Sequence, residues 1–291
     1  MRLIVPFPPG GGADIVARLI ATPLGEALGQ PLVVDNRAGG DGIVAAEAVM
    51  KAAPDGLTLF LGTGTGMSWT PAMRKSAPYD PVNDFTPISR VGTVVFFLAV
   101  PEELPARTIG EFIALARSQP GALNYGTGTG TAIIGLAQIA KAAQLQMVHV
   151  PYKGDAPLTA DTIAGRVQLA MAAGGPMLPH IRAGKLRALA TLSAERSALL
   201  PEVPTLPQAG LPALTFDTWI GMFGPVGMPR ESVDRIQRAL ASVLARADIH
   251  DQLARNAFEA HSSTPDELRD FVKEQLVAWK AAAQAAGIQP Q

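Results

Sequence analysis

Short apolar runs alternate along this chain with longer segments whose apolar residues recur every three to four positions. The runs at residues 3–5, 32–34, 57–61, 94–100, 123–125, 148–150, 167–171 and 186–191 have the length and content of strands. Between them, residues 14–28, 43–52, 109–118, 133–143 and 158–164 carry a helical period. Such alternation predicts βαβ units with largely parallel sheets covered on both faces. After residue 230 the pattern changes: residues 231–247 and 266–286 are almost all helix formers, with Gly287 as a stop. Thr108 with Glu111, and Thr264 with Glu267, read as capping boxes, the second with Pro265 at the first helical position. Pro23 inside the first helix predicts a kink.

Two extended runs, residues 94–100 and 215–223, flank the middle block, and the late helices must return to cover the first strands. The expected division is therefore discontinuous: residues 1–98 with 219–291 in one unit, and 99–218 in the other. A length of 291 residues suits two such units.

Charge adds exclusions. Lys and Arg total 24 against 25 Asp and Glu, spread thinly. Nucleic acid demands a basic stripe and an anionic membrane surface a polybasic patch; neither is present. With 48% apolar residues the chain can bury a large core. Cysteine is absent, which removes disulfides, thiolate metal sites and thiol nucleophiles. The longest strongly apolar run, residues 91–100, is far short of the ~20 needed to span a bilayer. Met1-Arg2 leads directly into a strand, so an export leader, if the protein is exported, lies outside this numbering.

The candidate chemistry sits in glycine-rich turns. Phe7-Pro8-Pro9-Gly10-Gly11-Gly12-Ala13-Asp14 joins a strand to an amphipathic helix. Without side chains, backbone N–H groups at a helix start can approach an anion closely. The plainer reading is a tight turn with Asp14 as the helix cap. No Lys-Ser/Thr follows at phosphate-loop spacing, and the pattern is not GxGxxG. The second turn, Gly126-Thr127-Gly128-Thr129-Gly130-Thr131, offers hydroxyls and N–H groups in an uncharged cradle, and Gly62-Thr63-Gly64-Thr65-Gly66 echoes it. Its spacing also fails the dinucleotide fingerprint. No GxSxG elbow or HExxH motif occurs. His149, in an apolar strand, reads as a satisfied core histidine, while His180, His250 and His261 are scattered. Trp69, Trp219 and Trp279 read as packing residues, with Trp69 placed to wall a pocket.

Taken together, ordered stretches of this chain resemble the Bug-type solute-binding receptors of tripartite tricarboxylate transporters. They are Ile4-Val-Pro-Phe-Pro-Pro-Gly-Gly-Gly-Ala-Asp-Ile-Val-Ala-Arg18, Asp35-Asn-Arg-Ala-Gly-Gly40, Ala53-Pro-Asp-Gly56 and Pro78-Tyr-Asp-Pro-Val-Asn-Asp-Phe85. Val148-His-Val-Pro-Tyr-Lys-Gly154, Pro179-His-Ile-Arg-Ala-Gly-Lys-Leu-Arg-Ala-Leu189 and Pro201-Glu-Val-Pro-Thr205 continue the series. The resemblance implies an α/β, two-lobed periplasmic-binding-protein fold of the Venus-flytrap type II class, with two interlobe crossings. It implies that one turn per lobe holds a ligand carboxylate: Phe7, Pro8, Gly10, Gly11, Gly12, Ala13 and Asp14 in the first lobe, and Thr127, Gly128, Thr129, Gly130, Thr131 and Ala132 in the second. Gly64, Thr65, Lys153, Gly154 and Gly174 would complete the cleft.

The family's pattern is not followed everywhere. The second turn is about one residue short. Ile134 and Gln138 stand where many relatives place His and Glu, and Ala172-Ala173-Gly174-Gly175-Pro176 stands where relatives often carry an acid or amide. The far end of the cleft is therefore expected to be apolar.

The resemblance implies a non-enzymatic periplasmic monomer that passes a small carboxylate to membrane permease subunits, with no cofactor, no metal and no nucleic acid. A sensory receptor of the same fold is the first rival, and an enzyme built on it the second. Because the turns show no carboxylate beyond Asp14, acids without an amine are expected to bind better than matching α-amino acids, succinate over aspartate. Lys153, the only basic residue near a cleft turn, is left between ligand contact and solvated surface. Valine at Gly11 or Gly128 is expected to abolish binding without unfolding the chain.

Overall fold

The computed structural model describes residues 1–214 and 216–290 and contains two sheets. The first is assembled from β1 (Arg2–Val5), β2 (Val33–Asn36), β3 (Thr58–Thr63), β4 (Phe85–Val94), β10 (Trp219–Pro225) and β11 (Phe258–Ala260), in the order β11-β4-β10-β3-β1-β2. The second holds β5 (Phe96–Pro101), β6 (Asn124–Thr127), β7 (Val148–Pro151), β8 (Leu169–Ala173) and β9 (Leu186–Thr191), in the order β7-β6-β8-β5-β9. The sheets are mixed. β1 pairs in parallel with β2 and β3, but β10 runs antiparallel to β3 and β4. In the second sheet β6 is parallel to β7 and β8, whereas β5 is antiparallel to β8 and β9. The largely parallel expectation fails at the strands adjoining the crossings, which arrive from the other half of the molecule.

The apolar run at residues 94–100, expected as one strand, is divided. β4 ends at Val94 and β5 begins at Phe96, so the chain changes sheets at Val95. Val94 donates its N–H to the Thr218 carbonyl at 2.7 Å, and the Thr218 hydroxyl donates back to the Val94 carbonyl at 2.5 Å. The outgoing and returning crossings thus lie side by side. The expected extended run at 215–223 becomes a strand only from Trp219; Thr215 lies outside the described residues. Residues 85–93 gave no strand signal because Pro87, Ser89 and Arg90 break the apolar alternation. The strand is held instead by β10 on one side and β11 on the other.

Helices cover both faces of each sheet. α1 (Gly12–Leu28), α8 (Arg230–Leu244) and α9 (Ala247–Arg255) enclose one core around Leu3, Ile20, Leu24, Leu59 and Leu240. α2 (Ile43–Met50) and α10 (Pro265–Ala286) close the opposite face around Phe60, Phe85 and Phe223. On the second sheet, α4 (Ile109–Ser118) and α5 (Gly130–Ala142) cover one face, with α6 (Asp155–Ile163) and α7 (Gly174–Arg182) on the other. A further apolar cluster ties the halves together. Trp69 and Met73, the latter in the short α3 (Thr70–Met73), meet Ile134 of α5 and Trp279 of α10, whose ring lies 4.5 Å from that of Phe216.

Helix starts follow the local chemistry with two adjustments. Thr264 and Glu267 form the full reciprocal capping box with Pro265 in the first turn. Thr108 caps α4 through the Glu111 N–H, but the Glu111 carboxylate reaches past it to the Arg107 N–H. α1 runs continuously through Pro23. α5 and α6 each begin three residues earlier than the apolar period suggested, because their first turns are polar or small: Gly130-Thr131-Ala132 and Asp155-Ala156-Pro157.

Candidate functional site

Between the two sheets lies a cavity at which three helix N-termini converge. Gly12 and Ala13 of α1, Thr131 of α5 with its cap Thr129, and Asp155 of α6 all line it. Phe7, Gly11, Thr63, Gly64, Thr65, Thr218, Trp219 and Ile220 contribute from the first sheet and its turns; Val94, Phe96 and Ala173 stand at the crossing and on the second sheet. Each helix start presents the positive end of its dipole and N–H groups without intrahelical partners.

The turn after β1 is shaped by a buried carboxylate. Asp14 accepts from the Gly10 N–H at 2.9 Å, from Arg18 Nε at 2.9 Å and from Asn36 Nδ2 at 2.9 Å. Asn36 Nδ2 also donates to the Phe7 carbonyl at 3.0 Å. Burial pushes the Asp14 carboxyl up, but the bonds from Arg18, Gly10 and Asn36 outweigh it and hold the group below its ordinary range. Asp14 is therefore not the helix cap. Gly11 occupies that position and offers no side chain. With Asp14 bent back toward Gly10 in its left-handed conformation (φ +82°), the N–H groups of Gly12 and Ala13 find no protein acceptor among the described residues. Both residues line the cavity.

The second turn is built differently. Gly130 donates its N–H to Thr65 Oγ1 at 3.1 Å, a bond between the two halves, and Ala132 donates to Thr129 Oγ1 at 3.3 Å. Two donors expected for a ligand are thus already used by the protein. Its glycines are required for packing. A Cβ on Gly128 would stand 2.5 Å from the Gly154 carbonyl carbon, and one on Gly130 would stand 2.5 Å from the Trp69 ring.

The cavity brings together Phe7, Gly11, Gly12, Ala13, Gly64, Thr65, Thr129 and Thr131 from the sequence candidates. Pro8, Gly10, Asp14, Thr127, Gly128, Gly130, Ala132, Lys153, Gly154 and Gly174 lie outside its lining. Thr127 bonds His149 Nε2 at 2.7 Å, and a Cβ on Gly174 would strike that of Ala257 at 2.3 Å. Gly154, at φ +120°, fits beneath Pro8, a packing role that links the corner to the first turn. Lys153 is exposed. His149, expected in the core, is satisfied but on an exposed edge strand, stacked on Tyr125. Trp69 packs against Gly130 rather than walling the cavity; Trp219 takes that place.

One residue was missed altogether. Asp155 is 5% exposed, lines the cavity and accepts from the Ala173 N–H at 3.3 Å through Oδ2, while Oδ1 has no partner among the described residues. Burial drives its carboxyl up to about 7 against the opposing pull of the Ala173 N–H. Among the described residues no Lys, Arg or His lines the cavity. This corrects the expectation that the cleft lacks an acid. The signal was available in Gly154-Asp155, the start of α6. It was hidden because the helical period begins only at Leu158.

Comparison with known proteins places the chain. The family described as "Tripartite tricarboxylate transporter family receptor" matches residues 16–288. Protein BugT of Bordetella pertussis is 33% identical over 296 residues, covering 99% of this chain and 89% of BugT. The Rhodopseudomonas palustris protein Rpa4515, solved with adipate, superposes with a TM-score of 0.96 at 32% identity, covering 100% of this chain and 98% of that one. The periplasmic binding protein BugD superposes at 0.95 with 27% identity, covering 100% and 98%.

Proposed function

The chain belongs to the receptor family of tripartite tricarboxylate transporters, and from that membership we propose that it captures a small organic acid between its lobes outside the cytoplasm and delivers it to membrane permease subunits. The cavity is the observation that carries this reading. Three helix N-termini face one cavity, which is lined by Gly12 and Ala13, residues whose N–H groups have no protein acceptor among the described residues. Such a set of aligned dipoles and unused donors suits a carboxylate. That Rpa4515 is solved with adipate supports the same ligand chemistry.

We place the lobes on either side of the two crossings, residues 1–95 with 219–290 in one and 96–218 in the other. Opening and closing would pivot where Val94 and Thr218 bond each other. The ligand sites are the residues that line the cavity from both lobes. Binding and closure are then the whole chemistry of a monomeric receptor: an anion bridging the lobes favours the closed state by its differential affinity.

Isothermal titration of the purified chain with mono- and dicarboxylates of two to six carbons tests this. At least one should bind with micromolar affinity, about −8 kcal/mol, and be recovered chemically unchanged. A panel that gives no binding heat, or a ligand converted to product, would overturn the reading.

A further inference from the structure

Asp155 has no place in a site built only to hold carboxylates. Its side chain is among the most deeply buried acids described, yet among the described residues Oδ1 has no hydrogen-bond partner and no cationic side chain lines the cavity with it. A buried carboxylate without a counter-charge is costly, and the chain supplies only the Ala173 N–H and the end of α6 in compensation. Arg18, the cation that neutralises Asp14, is committed on the far side of the first turn. A second anionic group entering this cavity beside Asp155 would meet like charge at short range.

We propose that Asp155 is the specificity-determining residue of the cavity and that the ligand carries a protonated amine beside its carboxylate. The inference rests on the receptor reading above and names the ligand class. In the closed lobes the ligand carboxylate takes the Gly12 and Ala13 N–H groups, while its ammonium donates to Asp155 Oδ1. A zwitterion of this kind fills both vacant roles, donor and acceptor, and adds no net charge. Thr65, Thr129 and Thr131 also line the cavity and offer neutral hydroxyls to either group. This reverses the preference expected from the sequence, which rested on the absence of an acid.

The test is calorimetry at pH 8 with paired probes: alanine with propionate, aspartate with succinate, glutamate with glutarate. On the wild-type chain at least one amino acid should bind ten-fold or more tightly than its deaminated partner. Asp155→Asn should remove most of that preference by weakening the amino acid at least ten-fold, with the deaminated partner unchanged or improved. Asp155→Ser provides a second variant, and the circular dichroism melt of each shows whether it is folded. Deaminated acids binding more tightly than every amino acid to the wild type would overturn the inference and leave the receptor reading standing. So would a preference that survives in both folded variants. No heat from either class, here or with the wider carboxylate panel, would overturn the receptor reading and the inference together.

Discussion

A single methyl group placed at the seam between the lobes should block closure without harming either lobe. Gly12, the first residue of α1, faces Ala173 at the end of β8, and a Cβ built on it would stand 2.6 Å from the Ala173 Cβ. Carbon atoms prefer about 3.5–4.0 Å, so the seam must widen by roughly 1 Å. The next neighbours, Asp155 Oδ2 and Val94 Cγ1, lie 4.0 Å away and do not object. Gly12 has ordinary helical backbone, so alanine adds no strain within the first lobe. Overpacking of this kind costs about 1–3 kcal/mol, here charged to the closed state alone, which is roughly a 5- to 150-fold loss of ligand affinity. Gly12→Ala should therefore weaken binding by that factor in calorimetry and raise the ligand concentration needed to compact the protein in small-angle scattering. Its melting temperature without ligand should stay within a few degrees of wild type. Ala173→Gly removes the opposing methyl, and the double variant should recover most of the lost affinity. A double variant as weak as Gly12→Ala would refute the reasoning, because the cost would not then arise at the Gly12–Ala173 contact.

Three further outcomes follow from the same geometry. Gly128→Val should lower the melting temperature markedly rather than act on ligand alone, since its Cβ meets the Gly154 backbone at 2.5–2.6 Å; a stable, non-binding variant would restore Gly128 to the anion site. Lys153→Met should leave affinity within two-fold of wild type, because Lys153 is exposed and outside the cavity lining; a ten-fold loss would bring it back. Between about pH 4 and pH 7 the native chain keeps a proton on Asp155 that the unfolded chain has released, its carboxyl being raised from 3.8 to about 7, so this group's stability contribution is full below pH 4 and is lost as pH rises toward 7. Ligand-free wild type should lose melting temperature relative to Asp155→Asn across that window, a comparison that cancels the opposing effect of His149 and His261, whose burial lowers their pKa; parallel melting curves would count against the buried acid.

What could be read from the sequence, and what could not, follows from range. The strands with uninterrupted β-branched or aliphatic runs, such as β1 from Leu3 and β8, were legible because burial on both faces leaves a continuous apolar signal. β4 was not, because its stability comes from pairing with β10 and β11, strands more than a hundred residues away in sequence. Glycine motifs were legible as turns but ambiguous in purpose. Gly11 lies open to the cavity with only the Pro8 carbonyl at 3.5 Å, whereas Gly128 is glycine because another backbone presses on it. The two cases look alike in a string of letters. Only the packing partner, supplied from elsewhere in the chain, separates them.

Asp155 shows the same limit at the site itself. An aspartate opening a helix ordinarily reads as a favourable dipole partner in solvent, and nothing local marks this one as buried. Its burial is created jointly by Ala173, the last residue of β8, and by Gly12, whose missing side chain lets the first lobe close over it. The residues that make Asp155 chemically distinctive are therefore the small ones that seemed to make the cleft bland. Ala173 and Gly12 pack closely beside an acid that opens one helix and shares a cavity with the starts of two others. Removing polar side chains from the cleft wall does not make the site indifferent to charge. It leaves one carboxylate without a protein counter-ion, which a ligand's positive group can supply.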